Sequence, residues 1–177
     1  MKRLAFSLLL AVPFAAAAQH APYTGQEQRD IKALSAEEVN QYLSGAGMGY
    51  AKSAELNHFP GPMHTLELAD ELGLSAAQRA ATRALMDAHK AEARAIGAKL
   101  VEAEREIEAL FRSGAVEEAK LGSAVRNAGM LQAEYRLSHL ETHRRMRALL
   151  TDEQVRRYDH ARGYAAGAPA GHGGHKH

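Results

Sequence analysis

Cysteine is absent from this 177-residue chain, and several chemistries are excluded with it. A chain without cysteine has no disulfide framework, no thiolate zinc site, no iron–sulfur cluster and no cysteine nucleophile. An excess of one charge is also missing, because 22 Lys and Arg face 21 Asp and Glu, a formal net charge of +1. This balance gives no basis for a nucleic-acid-binding surface. The length suits a single domain, and the feature that needs explanation is the presence of ten histidines.

Long apolar runs are missing as well, apart from a short one near the N-terminus. Two basic residues precede an apolar run over 4–14, and four alanines follow it. The pattern is typical of a secretory signal peptide, and the run is shorter than the roughly 20 residues that span a bilayer. We therefore predict a cleaved signal peptide over 1–18, export to a bacterial periplasm and no membrane span after cleavage. Cleavage after Ala17 would leave His20 in an N-terminal metal-chelating tripeptide, and cleavage after Ala18 would destroy that site.

The sequence shows no alternation of apolar and polar residues of the kind that strands have, so the fold class is predicted to be all-α. Three capping boxes mark helix starts, in which a Ser or Thr hydroxyl and a Glu or Gln side chain satisfy free backbone N–H groups. These boxes are Ser35-Ala36-Glu37-Glu38, Ser75-Ala76-Ala77-Gln78 and Thr151-Asp152-Glu153-Gln154. Between the first two boxes, we expect short helices that end at Gly45, near Leu56 and, for the one that begins at Pro62, at Gly73.

Two long helices are predicted on either side of the Ser113-Gly114 turn. In both, apolar or small residues recur every three or four positions, as a helix with one buried face requires. The positions are Thr82, Leu85, Ile96, Leu100, Ala103, Ile107 and Leu110 before the turn, and Leu121, Ala124, Ala128, Leu131, Tyr135, Thr142, Met146 and Leu149 after it. The short turn makes the pair an antiparallel αα-hairpin. Such a hairpin has little interior, so we expect it to pack on short flanking helices and to form a homodimer.

The chain divides into four parts by composition. After the signal peptide, residues 19–62 are an N-terminal arm with short helices, and residues 63–163 contain the hairpin and the last short helix. Within the arm, residues 23–34 have weak periodicity and are expected to be extended or frayed. Residues 164–177 form a His-rich tail with too little apolar content to fold.

The second and third capping boxes each follow a leucine, and together they carry a family resemblance. Each element reads leucine, then serine or threonine, any two residues, and glutamine. The residues are Leu74, Ser75 and Gln78 in one copy and Leu150, Thr151 and Gln154 in the other. In an exported chain without cysteine, two such elements around a hairpin resemble the periplasmic LTxxQ family, over roughly residues 63–163. That family includes the Spy and CpxP chaperones, the zinc-resistance-associated protein and periplasmic heavy-metal sensors.

The resemblance implies a curved, hook-like or cradle-like helical fold, often dimeric. It also implies a role in envelope stress, through holding unfolded periplasmic proteins, binding metal, or reporting to a membrane sensor. No Gly-rich phosphate loop and no Ser/His/Asp arrangement can be assembled from the residues, so we expect no enzymatic activity.

Three histidines are predicted to meet inside the hairpin. Antiparallel pairing about the turn sets His89 opposite position 138, next to His139. His139 and His143 are four residues apart, which places both imidazoles on one helix face. With Met86 one turn before His89, the donors suit Zn, Cu or Ni and Co, and the thioether favours copper. The alternative is that these histidines are ordinary residues of a helical interface.

The remaining histidines carry weaker signals. The residue after His139 is leucine, so the H-E-x-x-H pattern of metalloproteases is absent. His64 could complete the hairpin site, whereas His58 and His160 have no evident partner. Three more histidines lie in the tail and are consistent with weak metal capture. They are His172, His175 and His177.

Two functions follow from these observations. The first is a periplasmic envelope-stress or heavy-metal-resistance protein that binds a transition metal ion through the hairpin and tail histidines. The second is an ATP-independent chaperone, a holdase of the Spy and CpxP type, that binds unfolded chains on a concave apolar surface and carries its histidines incidentally.

Overall fold

A computed structural model describes residues 23–164 as helices joined by turns, with no strand in that range. The all-α prediction is therefore confirmed, while the predicted signal peptide, His20 and the tail histidines lie outside the described residues. None of the helices within residues 23–164 has the length and apolar character that a membrane crossing requires. The helices are α1 Ala36–Ser44, α2 Lys52–Glu55, α3 Pro62–Glu67, α4 Ala76–Arg112, α5 Glu118–Leu149 and α6 Asp152–Ala161.

The predicted hairpin is present as α4 and α5, which pack along each other on either side of residues 113–117. Small and apolar side chains fill the interface because they repeat at helical spacing and so share one face of each helix. The buried residues of α4 are Thr82, Leu85, Ala93, Gly97, Leu100, Val101 and Ala103, and those of α5 are Ala124, Ala128, Leu131, Tyr135, Ser138, His139, Thr142 and Met146.

All three predicted capping boxes form. At α4, the Ser75 hydroxyl accepts a hydrogen bond from the Gln78 backbone N–H at 3.1 Å, and the Gln78 side chain accepts one from the Ser75 N–H at 3.0 Å. Thr151 and Gln154 repeat this geometry at α6, and Ser35 with Glu38 does so at α1. Each box satisfies backbone donors that a helix start would otherwise leave free.

The two glutamines of the repeated motif also bind each other. The Gln78 amide nitrogen donates to Gln154 Oε1 at 2.8 Å, and the Gln154 amide nitrogen donates to Gln78 Oε1 at 3.1 Å. Gln78 donates in addition to the Leu149 carbonyl at 2.9 Å. The leucines of the motif, Leu74 and Leu150, are both 6% exposed in the core beside this pair. The repeated motif therefore joins the start of α4, the end of α5 and the start of α6.

Residues 23–34 pack on the turn-side half of the hairpin, and the expectation that they form an extended or frayed arm is wrong. The residues form successive turns, and Ile31 is 3% exposed in the core. Lys32 binds the Glu108 carboxylate at 2.5 Å, and Arg112 donates to the Asp30 carbonyl at 2.9 Å. These contacts link residues far apart in sequence, which is why local periodicity gave no sign of them.

The helix that begins at Pro62 is also shorter than predicted, because α3 ends at Glu67 and not at Gly73. The backbone leaves the α-helical hydrogen-bond pattern at Ala69, whose N–H donates to the Leu66 carbonyl three residues earlier. The chain continues in turns to Gly73, which adopts a left-handed φ of 63°. The tighter path brings Leu72, 1% exposed, into the core.

A close approach between backbones explains the glycine inside α4. A Cβ atom on Gly97 would lie 2.1 Å from the Tyr42 carbonyl oxygen and 3.2 Å from Tyr135 Cε2. Glycine costs about 1 kcal/mol relative to alanine in a helix interior, and here the missing side chain is what allows α1 to cross α4.

We predict that Gly97→Ala lowers the free energy of unfolding by about 1–3 kcal/mol, the usual cost of an overpacked core. Gly129→Ala is the matched control, since a Cβ on that helical glycine meets nothing within 4 Å; it should raise stability by up to about 1 kcal/mol. Urea denaturation of both variants tests this prediction. Equal stabilities for the two variants would contradict the crossing at Gly97.

Candidate metal centre

The hairpin register brings His89 and His139 into contact. Their ring centroids are 4.4 Å apart, and the ring planes meet edge to face at 85°. Antiparallel pairing about the turn predicts this proximity, since it sets His89 beside His139 on facing helices. The two imidazoles therefore touch across the interface of α4 and α5.

His139 is held in one orientation with one nitrogen unused. Its Nδ1–H donates to the Tyr135 carbonyl oxygen at 2.9 Å, and the residue is only 4% exposed. Nε2 is buried and makes no hydrogen bond of good geometry within the described residues, although the Ala46 backbone lies near enough to the ring to raise its pKa. A metal-ligating histidine is commonly fixed in this way, with one ring N–H on a backbone carbonyl and the other nitrogen free to bind the ion.

His89 presents a second unused nitrogen. Its Nδ1 is buried without a hydrogen-bond partner in the described chain, although the residue as a whole is half-buried. Burial, followed by the proximity of His139 and His143, lowers the pKa of His89 to about 4. Burial also lowers the pKa of His139. Both rings are therefore neutral at neutral pH, which is the form of imidazole that binds metal.

His143 lies one turn further along α5, but its ring faces the N-terminal segment. Its Nδ1–H donates to the Phe59 carbonyl at 2.8 Å, and the same nitrogen is 3.5 Å from Glu55 Oε2. A Cβ on Gly61 would lie 2.8 Å from His143 Cε1, so the ring packs closely against that glycine. The structure thus brings together two of the three predicted imidazoles and places the third against the segment that precedes α3.

No group of three His, Asp or Glu side chains within residues 23–164 is arranged to hold a metal ion. Met86 is half-buried and lies three residues before His89 on α4. The described residues therefore offer a pair of imidazole nitrogens, fewer than the three or four protein ligands of a typical zinc site.

Three tyrosines, Tyr42, Tyr50 and Tyr135, form a wall beside the histidine pair, and only Tyr135 was expected at the hairpin interface. The Tyr135 ring is 4.7 Å from that of His139, and the Tyr50 ring is 5.6 Å from Tyr135. The Tyr42 and Tyr50 hydroxyls are 2.9 Å apart, and the Tyr135 hydroxyl donates to the Ala46 carbonyl at 2.7 Å. Tyr42 lies on α1 and Tyr50 in the glycine-rich segment that follows it, and no local signal shows that both reach Tyr135 on α5.

A half-buried carboxylate, that of Glu55 on α2, joins α2 to α6. It accepts a hydrogen bond from the Tyr158 hydroxyl at 2.6 Å and lies 3.6 Å from Arg162 Nε. The Tyr164 hydroxyl is 3.4 Å from the same oxygen. Since Glu55 also approaches His143, this cluster connects the end of the described chain to the histidine region.

The other described histidines lie elsewhere. The expectation that His58 has no partner is wrong, because its Nδ1 is 2.8 Å from Asp159 Oδ2, a residue 101 positions away. His64 pairs with Glu67 at 2.7 Å on α3. His160 is exposed on α6.

Comparison with known proteins agrees with the repeated motif. Residues 62–162 match the sequence profile described as LTXXQ motif family protein. No curated protein and no solved structure is significantly similar to the chain.

The histidine pair predicts a loss of stability on mild acidification. Between pH about 6.5, the ordinary pKa, and about 4, the unfolded chain binds a proton that folded His89 does not. The free energy of unfolding therefore falls as the pH falls through this window, by less than about 1.4 kcal/mol per pH unit for each imidazole, because solvent at the edge of His89 screens part of the effect.

Urea denaturation in metal-free buffer at neutral and mildly acidic pH measures this dependence. His89→Gln with His139→Gln should flatten the slope, whereas His160→Gln, which changes an exposed histidine, should keep the slope of the unmodified protein. A double variant that loses stability as steeply as the unmodified protein would show that other groups cause the dependence.

Proposed function

Because this chain belongs to the LTXXQ motif family, we propose that it is a periplasmic envelope-stress or heavy-metal-resistance protein that binds a transition metal ion at His89 and His139. Membership of the family fits a periplasmic stress or metal-resistance protein. The family's proteins are in general not enzymes, which agrees with the absence of a recognisable catalytic arrangement in the sequence. Metal binding by the His89 and His139 pair is our proposal.

The observation that carries the proposal is the pair of unpartnered nitrogens. A buried polar atom that makes no hydrogen bond costs about 1–3 kcal/mol, and two such atoms belong to rings that touch across the α4–α5 interface. Simple packing does not account for that cost, since apolar side chains of similar size would avoid it. A metal ion satisfies both lone pairs at once.

The donor set narrows the class of metal. Neutral imidazole suits Zn, Cu, Ni and Co, and the absence of cysteine leaves imidazole, carboxylate and thioether as the available ligands. Met86 adds a thioether within one turn of His89, which favours copper among these metals. Because the two rings are already in contact, an ion that binds both nitrogens has to part them.

Calorimetric titration with Zn(II), Cu(II), Ni(II) and Co(II) tests the proposal. His89→Gln with His139→Gln should weaken binding of the preferred metal by at least about tenfold, as loss of a ligand does. His160→Gln is the control and should leave the affinity unchanged. If the double variant does not fold, His89→Gln alone is titrated in its place. His89 is only half-buried, so its replacement disturbs the core less. Unchanged affinity in a folded variant would contradict the proposal.

A second candidate function is an ATP-independent holdase, and exposed apolar side chains on the hairpin favour it. Met130 is 56% exposed and Leu137 63% exposed, and they lie two turns apart on one side of α5. Met130 also borders a groove between α4 and α5 whose other lining residues are Lys99, Glu102, Ala103, Glu106, Asn127, Leu131 and Glu134. Exposed apolar side chains on one side of a helix offer an unfolded chain surface to bury. A homodimer and a membrane sensor as partner remain predictions.

Light scattering of a denatured client protein at stoichiometric ratios measures holdase activity. Met130→Ser with Leu137→Ser should reduce the protection, because it removes the apolar contact surface without changing the core. Val125→Ser, which changes a residue 51% exposed on another side of α5, is the matched control. Failure of the unmodified protein to delay aggregation would rule this function out.

A further inference from the structure

A backbone carbonyl from the end of α1 lies beside the His139 ring. Gly45 ends α1 in the left-handed region, at a φ of 71°, and the Ala46 N–H turns back to the Gln41 carbonyl at 2.9 Å. This helix ending fixes the residues that follow the helix. The Ala46 backbone acts to raise the pKa of the His139 imidazole, which only a hydrogen-bond acceptor, the carbonyl, can do.

The Ala46 carbonyl already has a donor, the hydroxyl of Tyr135 at 2.7 Å. Tyr135 is fully buried, and its ring centroid is 4.7 Å from that of His139. The backbone carbonyl of the same tyrosine accepts the His139 Nδ1–H at 2.9 Å. Tyr135 thus meets His139 twice, since its carbonyl holds one ring nitrogen and its hydroxyl binds the acceptor that lies beside the ring.

The Tyr135 hydroxyl and the His139 ring are therefore alternative donors to one carbonyl. An acceptor that loses its partner inside a protein costs free energy, so it takes another donor within reach. Nδ1 of His139 is already engaged, whereas Nε2 is buried without a partner. If Nε2 carried a proton to serve the Ala46 carbonyl, it would have no lone pair for a metal ion, because ligating imidazole nitrogens are unprotonated.

We propose that Tyr135 is a positioning residue for the metal pair, whose hydroxyl occupies the Ala46 carbonyl and so leaves the lone pair of His139 Nε2 free. The benefit to metal binding rests on the proposed function. The proton-free state of Nε2 is a property of the metal-free protein and is tested separately. In this account the tyrosine ring packs the core, and the hydroxyl group alone sets the ligand.

Tyr135→Phe removes the hydroxyl and keeps the ring. NMR chemical shifts of the imidazole nitrogens in the metal-free protein at neutral pH show which nitrogen carries the proton, and the His139 signals are assigned by their loss in His139→Gln. We expect a protonated Nδ1 and an unprotonated Nε2 in the unmodified protein. In Tyr135→Phe, the Nε2 signal should move toward that of a protonated nitrogen, and calorimetry should show at least about tenfold weaker binding of Zn(II).

Tyr50→Phe is the matched control. It also removes a tyrosine hydroxyl near the pair, since the Tyr50 and His139 ring centroids are 6.4 Å apart. The Tyr50 hydroxyl binds those of Tyr42 and the Gln132 amide at 2.9 and 3.1 Å, and not the Ala46 carbonyl. Both the His139 nitrogen signals and the Zn(II) affinity should therefore stay as in the unmodified protein.

The outcomes separate the inference from the proposed function. An unchanged Nε2 signal in Tyr135→Phe would overturn the role of the hydroxyl, even if the affinity fell, and would leave metal binding by the pair in place. A protonated Nε2 in the unmodified protein would overturn the role as well, and this measurement needs no variant of Tyr135. An Nε2 signal that moves as expected, in a protein that binds none of the metals, would contradict the proposed function and with it the use of Tyr135 in metal binding.

Discussion

The amide pair between Gln78 and Gln154 is the contact on which the geometry of the hairpin depends. The turn at residues 113–117 joins α4 and α5 at one end, and the reciprocal glutamine bonds of 2.8 and 3.1 Å close the other. With both ends fixed, neither long helix can slide against its partner. A shift of one residue would rotate the side chains by about 100°, and His89 would no longer meet His139.

The same contact explains why one short motif occurs twice. In each copy, the Ser or Thr hydroxyl and the glutamine cap a helix, and the leucine enters the core beside the glutamines. A glutamine that only capped its own helix could be replaced by glutamate, as Glu38 shows at α1. Two glutamates facing each other would repel, whereas two amides each donate and accept. The pairing of copies therefore favours glutamine at both Gln78 and Gln154.

At the candidate metal site, in contrast to the glutamine pair, two polar atoms are buried without hydrogen-bond partners. The core around Tyr135 and His139 is otherwise well satisfied, since the Tyr135 hydroxyl and His139 Nδ1 both donate to backbone carbonyls. Against that background, the nitrogens of His89 and His139 lack partners, as do three other buried atoms of the described chain, Glu55 Oε2, Asp159 Oδ1 and Arg162 Nε. Exceptions of this kind to an otherwise consistent structure are expected at functional sites.

Sequence reasoning reached the hairpin, the caps and the contact between His89 and His139, because each depends on local spacing or on pairing about a single turn. It did not reach the orientation of His143, which is set by Phe59 and Gly61 from a segment more than 80 residues earlier. The pairing of His58 with Asp159 likewise joins residues that are 101 positions apart in the sequence. A glycine inside a helix is costly, so Gly97 was noticeable in the sequence. Only the structure explains it, because α1 crosses α4 at this residue.

The most direct test of the account is the position of a bound metal. Crystals of the protein grown with one equivalent of Zn(II) allow the ion to be placed by its anomalous scattering. We predict a zinc ion at about 2.0–2.1 Å from His139 Nε2 and His89 Nδ1, with the two rings moved apart. A structure in which zinc lies elsewhere, and the His89 and His139 rings keep their 4.4 Å contact, would contradict it.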